Sequence, residues 1–136
     1  MRDKKSTLLY RWFEEVWNQN QETSIDNLMA PQSLAHGIVA DEHPKGPEGF
    51  RIFHRQFNDQ YENVKIDVID VISQDDMECA LTEITASHRD TGKKVKFSGL
   101  CMVRKEGGKI AEAWNHYDFL GMYQQLGHTL LPPEIA

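Results

Sequence analysis

The sequence has no long hydrophobic run and no excess of positive charge. None of its apolar stretches approaches the ~18 residues of a membrane-spanning helix. Its net charge is −6, whereas nucleic acids and anionic membranes favour basic protein surfaces. The segment MRDKKSTLLYRWFEE is basic at first, but its apolar run is interrupted at Arg11 and followed by Glu14 and Glu15, so it lacks the hydrophobic region of a signal peptide. We therefore expect a cytoplasmic protein with neither a nucleic-acid nor a membrane partner.

Cysteine is scarce, and the spacings typical of metal and cofactor sites are absent. The two cysteines, Cys79 and Cys101, lie in apolar segments typical of strands, which favours reduced core residues over a disulfide or a catalytic thiol. The histidines show neither H-x-x-x-H nor H-E-x-x-H spacing. The G-x-S-x-G, G-x-G-x-x-G and Walker patterns are missing as well. The sequence therefore predicts no metal and no cofactor.

The 136 residues suit one domain that can bury a core and still leave room for a pocket. Hydrophobic residues make up 40% and charged residues 26%, a balance typical of globular proteins. Because no linker or repeat interrupts the chain, we expect a single domain over residues 1–136. Residues 128–136, HTLLPPEIA, contain too much proline to extend a helix, so we expect them to form a C-terminal tail.

The first half of the sequence predicts three helices. From Lys5 to about Gln19 apolar residues recur at helical spacing, and Ser6 is a candidate N-cap. A short second helix is predicted after Ser24, followed by an extended segment, SLAHGI. A third helix begins near Pro47, a residue that suits a first helical turn. The apolar residues of the first and third helices are Leu9, Trp12, Phe13, Val16 and Trp17, and Phe50, Phe53, Phe57 and Tyr61.

After Asn63 the pattern changes from helical to alternating, which predicts four long strands. A final helix is predicted from Leu120 to Leu126, ending at Gly127. Helices followed by consecutive antiparallel strands indicate an α+β fold. We expect a curved antiparallel meander sheet with the N-terminal helices packed over it, forming a cone that encloses a cavity. The turns between the strands are Asp75-Asp76, Asp90-Thr91-Gly92 and Glu106-Gly107-Gly108.

The last strand, in EAWNHYDF, carries an unusual set of side chains on one face. Because side chains alternate along a strand, those at positions 112, 114, 116 and 118 point to the same side. We predict that they form the wall of a pocket for a small molecule. The residues of this wall are Glu112, Trp114, His116 and Asp118. The predicted substrate-binding residues opposite this wall or near its mouth are Trp17, His36 and His54.

Three polar residues of this wall each have two interpretations. A lone buried acid is costly, so we expect Glu112 to pair with Arg104 across the KEGGK hairpin; such pairs are structural more often than active. In an apolar pocket the pKa of Asp118 would rise and the residue could act as an acid/base. As a helix N-cap, Asp118 would instead accept backbone hydrogen bonds, which lower its pKa. His116 could relay a proton, or it could simply fill the wall.

Five segments, in order, resemble one protein family. They cover most of the chain between Lys5 and Gly127, and they resemble the SnoaL-like polyketide cyclase or ester cyclase family of the nuclear transport factor 2-like superfamily. The segments are RWFEEVWNQN, LMAPQSLAHG, GPEGFRIFHRQF, VKFSGLCMVRKEGGKIAEAWN and DFLGMYQQLG. The most specific feature is a W-x-x-x-D-x-L-G arrangement at Trp114, Asp118, Leu120 and Gly121.

The resemblance implies an α+β cone, usually dimeric, with a ligand cavity. It also implies that Asp118 matches the aspartate that acts as acid/base in an intramolecular aldol condensation. We therefore keep two hypotheses: a cofactor-independent cyclase or isomerase that uses Asp118 with His116, and a non-catalytic protein that binds a small apolar or aromatic ligand. We expect a homodimer that uses the outer face of the sheet. The residues predicted for that face are Ala111, Ala113, Asn115, Tyr117 and Phe119.

Overall fold

The structure, a computed structural model, describes residues 3–134, which form four α-helices and a five-stranded sheet. A short 3-10 turn, Lys4–Ser6, precedes the first helix, and that helix continues as a π-helical turn. The helices are α1 (Leu8–Trp12) with its π-helical turn Phe13–Asn18, α2 (Thr23–Leu28), α3 (Gly46–Gln60) and α4 (Phe119–Gln125). The strands are β1 (Met29–His36), β2 (Tyr61–Gln74), β3 (Met77–His88), β4 (Lys94–Glu106) and β5 (Lys109–Tyr117).

The sheet has the strand order β1-β5-β4-β3-β2. Strands β2 to β5 form the predicted antiparallel meander, and the predicted α+β fold with helices over a curved sheet is confirmed. Strand β1 is longer than the predicted extended segment, and it pairs parallel with β5, with Leu34 opposite Glu112 and His36 opposite Trp114. Its partner lies almost eighty residues away in the chain, so a local pattern could not reveal this pairing.

The helix starts differ from the predicted caps. Thr7, rather than Ser6, caps α1: its Oγ1 accepts a hydrogen bond from the Tyr10 N–H at 3.2 Å. Ser24 lies inside α2, and its hydroxyl donates to Glu15 Oε1 at 2.7 Å instead of capping the helix. A side-chain hydroxyl can serve a neighbouring acid as well as a helix end, and sequence does not distinguish the two. Proline in the first turn of α3 is as predicted.

A buried carboxylate joins the first helix to the sheet. Glu78, on β3, is only 2% exposed. Its two oxygens accept hydrogen bonds from the N–H groups of Leu9 at 2.9 Å and Leu8 at 3.2 Å. Lys105 Nζ lies 3.1 Å from Oε2. The carboxylate therefore satisfies two of the unpaired N–H groups that begin α1.

The π-helical turn is fastened to β2 by one side chain. Asn18 Oδ1 accepts a hydrogen bond from the Ile66 N–H at 2.7 Å, and Asn18 Nδ2 donates to the Ile66 carbonyl at 2.9 Å. The side-chain amide forms hydrogen bonds with both the N–H and the carbonyl of Ile66, as the backbone of a residue on a neighbouring strand would. This contact holds the helix against the sheet at one end of the space between them.

Beyond α4, the described residues add no regular structure. Residues 128–134 form neither helix nor strand, and the last two residues of the predicted tail lie outside the described part. Within residues 3–134, no helix combines the length and apolar character needed to cross a membrane. The cytoplasmic location and the single domain over residues 1–136 stay predictions.

Candidate ligand-binding site

An apolar cavity lies between the inner face of the sheet and the helices. It measures about 590 Å³ when the open space of its mouth is included. The helices and the loop after β1 contribute Trp12, Trp17, Ile38, Phe50, Phe53, Phe57 and Phe119. The strands contribute Met29, Ala35, Val64, Ile66, Ile84, Phe97, Cys101, Val103, Ile110, Ala113, Asn115 and Tyr117. Almost the whole wall is therefore hydrocarbon or aromatic ring.

Aromatic rings form the helical side of the cavity. Trp17 meets Phe57 edge to face at 5.6 Å between ring centroids, and Trp12 meets Phe50 at 4.9 Å. A π-helical turn uses hydrogen bonds between residues five apart, such as Gln19 N–H to the Glu14 carbonyl at 2.8 Å. Residues with that spacing come onto one side of the helix, which is how the two tryptophans both reach the cavity. Aromatic walls of this kind suit a flat ligand.

The sheet side of the cavity uses the opposite face of β5 from the predicted one. Ala113, Asn115 and Tyr117 line the cavity. Trp114 pairs with Met102 and His116 with Leu100, residues of β4 that are 40% and 50% exposed, so both point to the outer face. The predicted pocket wall of Glu112, Trp114, His116 and Asp118 is therefore wrong. The alternation was correct, but alternation alone does not state which face is covered by helices.

Several of the predicted site residues meet instead on the outer face. His36 Nε2 lies 2.7 Å from Glu112 Oε2, and the His36 ring stacks on Trp114 with 5.7 Å between centroids. The predicted pair of Glu112 and Arg104 is confirmed, with 3.8 Å between Oε1 and Nη2. The cluster is partly open to solvent and lies outside the cavity. The structure therefore brings four of the predicted site residues together, but away from the predicted pocket: His36, Trp114, Glu112 and Arg104.

Asp118 is exposed and caps α4. Its Oδ1 accepts a hydrogen bond from the Gly121 N–H at 2.9 Å. The carboxylate does not line the cavity, so the premise that it faces an apolar pocket is wrong, and the alternative position as a helix N-cap is the observed one. Strand β5 ends at Tyr117, and from Asp118 onward the strand parity no longer applies.

His54 is buried behind the aromatic wall. One of its ring nitrogens, Nε2, lies 3.0 Å from the Val16 carbonyl, near the end of the first helix. Its ring packs 4.6 Å from Trp17. Burial lowers the pKa of His54 below 6.5, although the hydrogen bond to Val16 partly opposes the shift. A neutral imidazole that donates to this carbonyl completes the helix end, so His54 supports the wall. Trp17 lines the cavity, whereas its role in binding stays a prediction.

Among residues 3–134, no residue that lines the cavity is an Asp, Glu, His, Lys or Arg. Two lining groups can ionise in principle, but burial raises the pKa of the Cys101 thiol to about 12 and the pKa of the Tyr117 hydroxyl well above 10. The wall therefore carries no charge near neutral pH. The second cysteine of the sequence, Cys79, is free like Cys101 and is half-buried. Among residues 3–134, His, Cys, Asp and Glu side chains form no group of three that could hold a metal ion.

Sequence reasoning missed the two polar groups that do line the cavity, Asn115 and Tyr117. Asn115 is 7% exposed, and its Nδ2 donates to the His36 carbonyl at 3.0 Å. The sequence predicts the outer face for both residues. One signal that could have placed them correctly is Ala113, which shares their face of β5, because a small residue next to a cavity leaves room for a ligand.

Comparison with known proteins identifies the family. A family model described as SnoaL-like polyketide cyclase matches residues 7–126. The chain belongs to this family. The family assignment agrees with the resemblance seen in the sequence, and it covers all four helices and all five strands. A search of curated proteins found no significant match.

Solved structures share the fold of this SnoaL-like protein. A candidate polyketide cyclase from Bacillus cereus is 26% identical, with a TM-score of 0.77 over 88% of this chain and 78% of the other. A candidate polyketide cyclase from Acidithiobacillus ferrooxidans is 22% identical, with a TM-score of 0.81 over 93% and 96%. A protein with a ketosteroid isomerase-like fold from Catenulispora acidiphila, in complex with trimethylamine, is 15% identical, with a TM-score of 0.78 over 93% and 98%.

Proposed function

We propose that this protein binds an uncharged, apolar and largely planar small molecule in the cavity between its helices and sheet. The observation that carries the proposal is the composition of the wall: aromatic rings on the helical side, mostly aliphatic residues on the strand side, and no charged group among residues 3–134. Ligand sites of proteins are commonly apolar clefts with a few placed polar groups. A flat hydrophobic molecule would bury its surface there, and the free energy of that burial would favour binding.

A charged ligand suits this wall poorly. Moving a carboxylate from water into an apolar site is costly unless an opposite charge meets it. Within the described part of the chain, none of the lining residues supplies a positive charge. We therefore expect an organic acid to bind more weakly than its neutral ester.

The second candidate function is enzymatic: a cofactor-independent polyketide cyclase or isomerase with Asp118 and His116 as acid/base residues. Family membership favours it. Proton transfer, however, needs a group within hydrogen-bond reach of the substrate. Asp118 is bonded to Gly121 at the helix end, and His116 lies on the outer face. Binding is for this reason the better supported function.

The binding proposal can be tested with naphthalene, a neutral flat probe, followed by quenching of tryptophan fluorescence. Naphthalene should bind the wild-type protein, and Ala113→Phe, which fills the sheet side of the cavity, should abolish binding. Ser98→Phe is the matched control, because it adds the same ring on the outer face. Circular dichroism checks that both variants fold. Equal binding by wild type and Ala113→Phe would show that the cavity is not the site.

The cyclase candidate has its own test, the turnover of an aromatic keto-ester. If Asp118 transfers a proton, Asp118→Asn should lower the rate by about 10² to 10⁴. If the wild-type protein turns over the keto-ester and the Asn variant does so at the same rate, Asp118 is a structural residue. Because asparagine also caps helices well, the Asn variant should remain folded in either case.

We also propose a homodimer formed through the outer face of the sheet. The residues assigned to that contact from the sequence include Ala113, Asn115 and Tyr117, which line the cavity, so the contact surface must be the other face. That face exposes a continuous apolar patch on neighbouring strands. The patch consists of Ile72 at 72% exposure, Leu81 at 40%, Leu100 at 50% and Met102 at 40%, next to the half-buried Trp114.

A second copy of the chain fits this patch because a two-fold dimer pairs a surface with itself. Leu81 lies opposite Leu100, and Met102 lies between Cys79 and Trp114, so the apolar residues are adjacent on neighbouring strands. Sedimentation at micromolar concentration should give a dimer for the wild type. Met102→Glu should give a monomer, because two like charges would face a buried apolar surface, while Glu83→Gln should remain dimeric. A wild-type monomer would contradict the proposal.

A further inference from the structure

A second cleft lies on the outer face of the sheet, where β3 ends and β4 begins. It measures about 850 Å³ when the open space in front of it is included, and it shares no lining residue with the apolar cavity. The opposed residues Glu83 and Ser98 separate it from the apolar patch on the same face. The polar residues that line the cleft are Asn63, Thr85, Ser87, Lys94, Lys96 and Gln125.

Four of these side chains form a compact group on two neighbouring strands. Thr85 lies opposite Lys96, and Ser87 lies opposite Lys94. Val95, between the two lysines, is buried, so the alternation of side chains directs the four to the outer face. Opposite residues of an antiparallel pair have Cβ atoms about 5 Å apart, and successive residues on one face are about 7 Å apart. Two ammonium groups and two hydroxyls therefore surround a space that suits one small anion.

The backbone around this group is held on both sides. Strand β5 does not extend along β4 as far as Lys96, and Gln125 of α4 takes its place. Gln125 Oε1 accepts a hydrogen bond from the Lys96 N–H at 2.8 Å, and Nε2 donates to the Lys96 carbonyl at 2.8 Å. On the other side, β2 has a bulge between Glu62 and Lys65 that contains Asn63, with φ of 54°. Bulges change the direction of side chains, and this one brings Asn63 to the cleft.

The donors of the cleft remain available to a ligand. Within residues 3–134, Lys94 forms no ion pair, and the hydroxyls of Thr85 and Ser87 form no hydrogen bond. Lys96 Nζ lies 3.6 Å from Glu83 Oε1, but the two side chains are 66% and 38% exposed, so this pair is weak. No acid of the described residues lines the cleft. Because the net charge of the chain is −6, an anion would be held by these local donors and not by the overall charge.

We propose that this cleft binds a dianionic phosphate group, either free phosphate or the phosphate monoester of a small molecule. The ammonium groups of Lys94 and Lys96 supply two positive charges, and Ser87 and Asn63 donate neutral hydrogen bonds to the remaining oxygens. A phosphate monoester presents three acceptor oxygens and nearly two negative charges, which matches this set of donors. The site goes beyond the proposed function, because the uncharged wall of the apolar cavity suits a different ligand.

The surroundings of the cleft favour a single phosphate over other anions. A carboxylate carries one charge on two oxygens, so it engages fewer of the donors. A nucleic-acid strand would place its further phosphates beside Glu83 and Asp67, which lie opposite each other on the adjoining part of the outer face, and like charges repel. One isolated phosphate group meets the lysines without reaching these acids.

The test is a titration of the full chain with inorganic phosphate and with phenyl phosphate, followed by two-dimensional NMR of the backbone and side-chain amides. The measurement is made at about pH 8, where both compounds are dianions, and at constant low ionic strength, because salt screens exposed charges. The amides of residues 85–87 and 94–96 and the side-chain amide of Gln125 should shift. Acetate at the same ionic strength should shift them far less. Tighter binding of phenyl phosphate than of inorganic phosphate would identify a monoester as the ligand, and the reverse order would identify free phosphate.

Substitutions of the lysines test the assignment of the donors. Lys94→Gln should weaken binding of phenyl phosphate about 3- to 10-fold, between the effect of an exposed ion pair and that of a charged hydrogen bond. The double variant Lys94→Gln, Lys96→Gln should lose binding. Lys94→Arg, which keeps the charge, should still bind. Lys5→Gln, at an exposed lysine outside the cleft, is the matched control and should keep the wild-type affinity.

Three results would overturn the phosphate site. One is a wild-type protein whose cleft amides do not shift with either phosphate compound, and another is a double variant that binds as tightly as the wild type. The third is acetate binding as tightly as phosphate at the same amides, which would indicate general attraction of anions to lysine. The double variant should bind naphthalene like the wild type, since the cleft and the cavity share no lining residue. Failure of the phosphate site is thereby distinguished from failure of the apolar cavity.

Discussion

The side chain of Asp118 and the backbone of Gly121 form a closed contact at the start of α4. Asp118 Oδ1 accepts the Gly121 N–H at 2.9 Å, and a Cβ at Gly121 would collide with Asp118 Oδ2. This contact explains, in physical terms, why an aspartate is followed by a glycine three residues later in the W-x-x-x-D-x-L-G arrangement. The acid needs the space that the missing side chain leaves.

The cap makes a prediction for stability. Asp118→Ala should lower the free energy of unfolding by about 0.5 to 2 kcal/mol, because it leaves helix N–H groups unpaired, whereas Asp118→Asn should lower it by a few tenths at most. Urea denaturation measures both. Asp67→Ala, at an exposed position on β2, is the control. If the Ala variant were as stable as the wild type, the cap would contribute nothing.

A second prediction concerns the packing of the Tyr117 ring against Gly99 on β4. Gly99→Ala should lower the free energy of unfolding by about 1 to 3 kcal/mol, because the added methyl group collides with the ring and forces it to move. Binding of naphthalene should weaken at the same time, because Tyr117 lines the cavity. In a Tyr117→Ala background the same Gly99→Ala change should be much less costly, since the ring is gone. Additive effects of the two substitutions would contradict the contact.

A third prediction concerns the buried carboxylate of Glu78. Glu78→Ala should lower the free energy of unfolding by roughly 3 to 5 kcal/mol, since the change leaves two helix N–H groups and a partly buried Lys105 without their acceptor. Thermal melting and urea denaturation should both report the loss. Glu83→Ala, on the outer face of the same strand, should change stability by far less. Equal effects of the two substitutions would exclude a role for Glu78 in fastening α1.

The fourth prediction is a dependence of stability on pH through His54. Burial, the largest cause, holds the folded-state pKa below 6.5; Glu22 raises it, while Arg51 and Arg55 lower it. The unfolded chain therefore binds a proton more readily than the folded protein. The free energy of unfolding should decrease as pH falls from about 6.5 through the lowered folded-state pKa, and the contribution is fully present above pH 6.5.

His54→Gln should be less stable than the wild type at pH 7, because the hydrogen bond to Val16 is weakened. Its stability should nevertheless fall less steeply between pH 7 and pH 5. His128→Gln, at an exposed histidine near the end of the chain, is the control and should keep the wild-type slope. Urea denaturation at several pH values gives these slopes. Parallel curves for the wild type and the His54 variant would refute the assignment.

Local pattern predicted most of the fold. Three signals carried this prediction: the helical spacing of the apolar residues up to Trp17, the change to alternation after Asn63, and the turn residues Gly107 and Gly108. Each signal lies within one short segment and reflects a backbone preference that neighbouring residues share. The order of elements then indicated the fold class, and the match to the SnoaL-like family confirmed it. Local pattern did not predict the parallel pairing of β1 with β5, because this pairing joins residues that are distant in sequence.

The candidate site depended on a choice that sequence does not contain. Alternation determined that Glu112, Trp114 and His116 share one face of β5 and that Asn115 and Tyr117 share the other. Which face received the helices was decided by the tertiary structure, where β4 presents Gly99, Cys101 and Val103 to the cavity side. This choice depends on the free energy gained when a whole face of the sheet is buried against helices that are distant in sequence. That free energy is a sum over many residues, and no short segment of the sequence contains all of them.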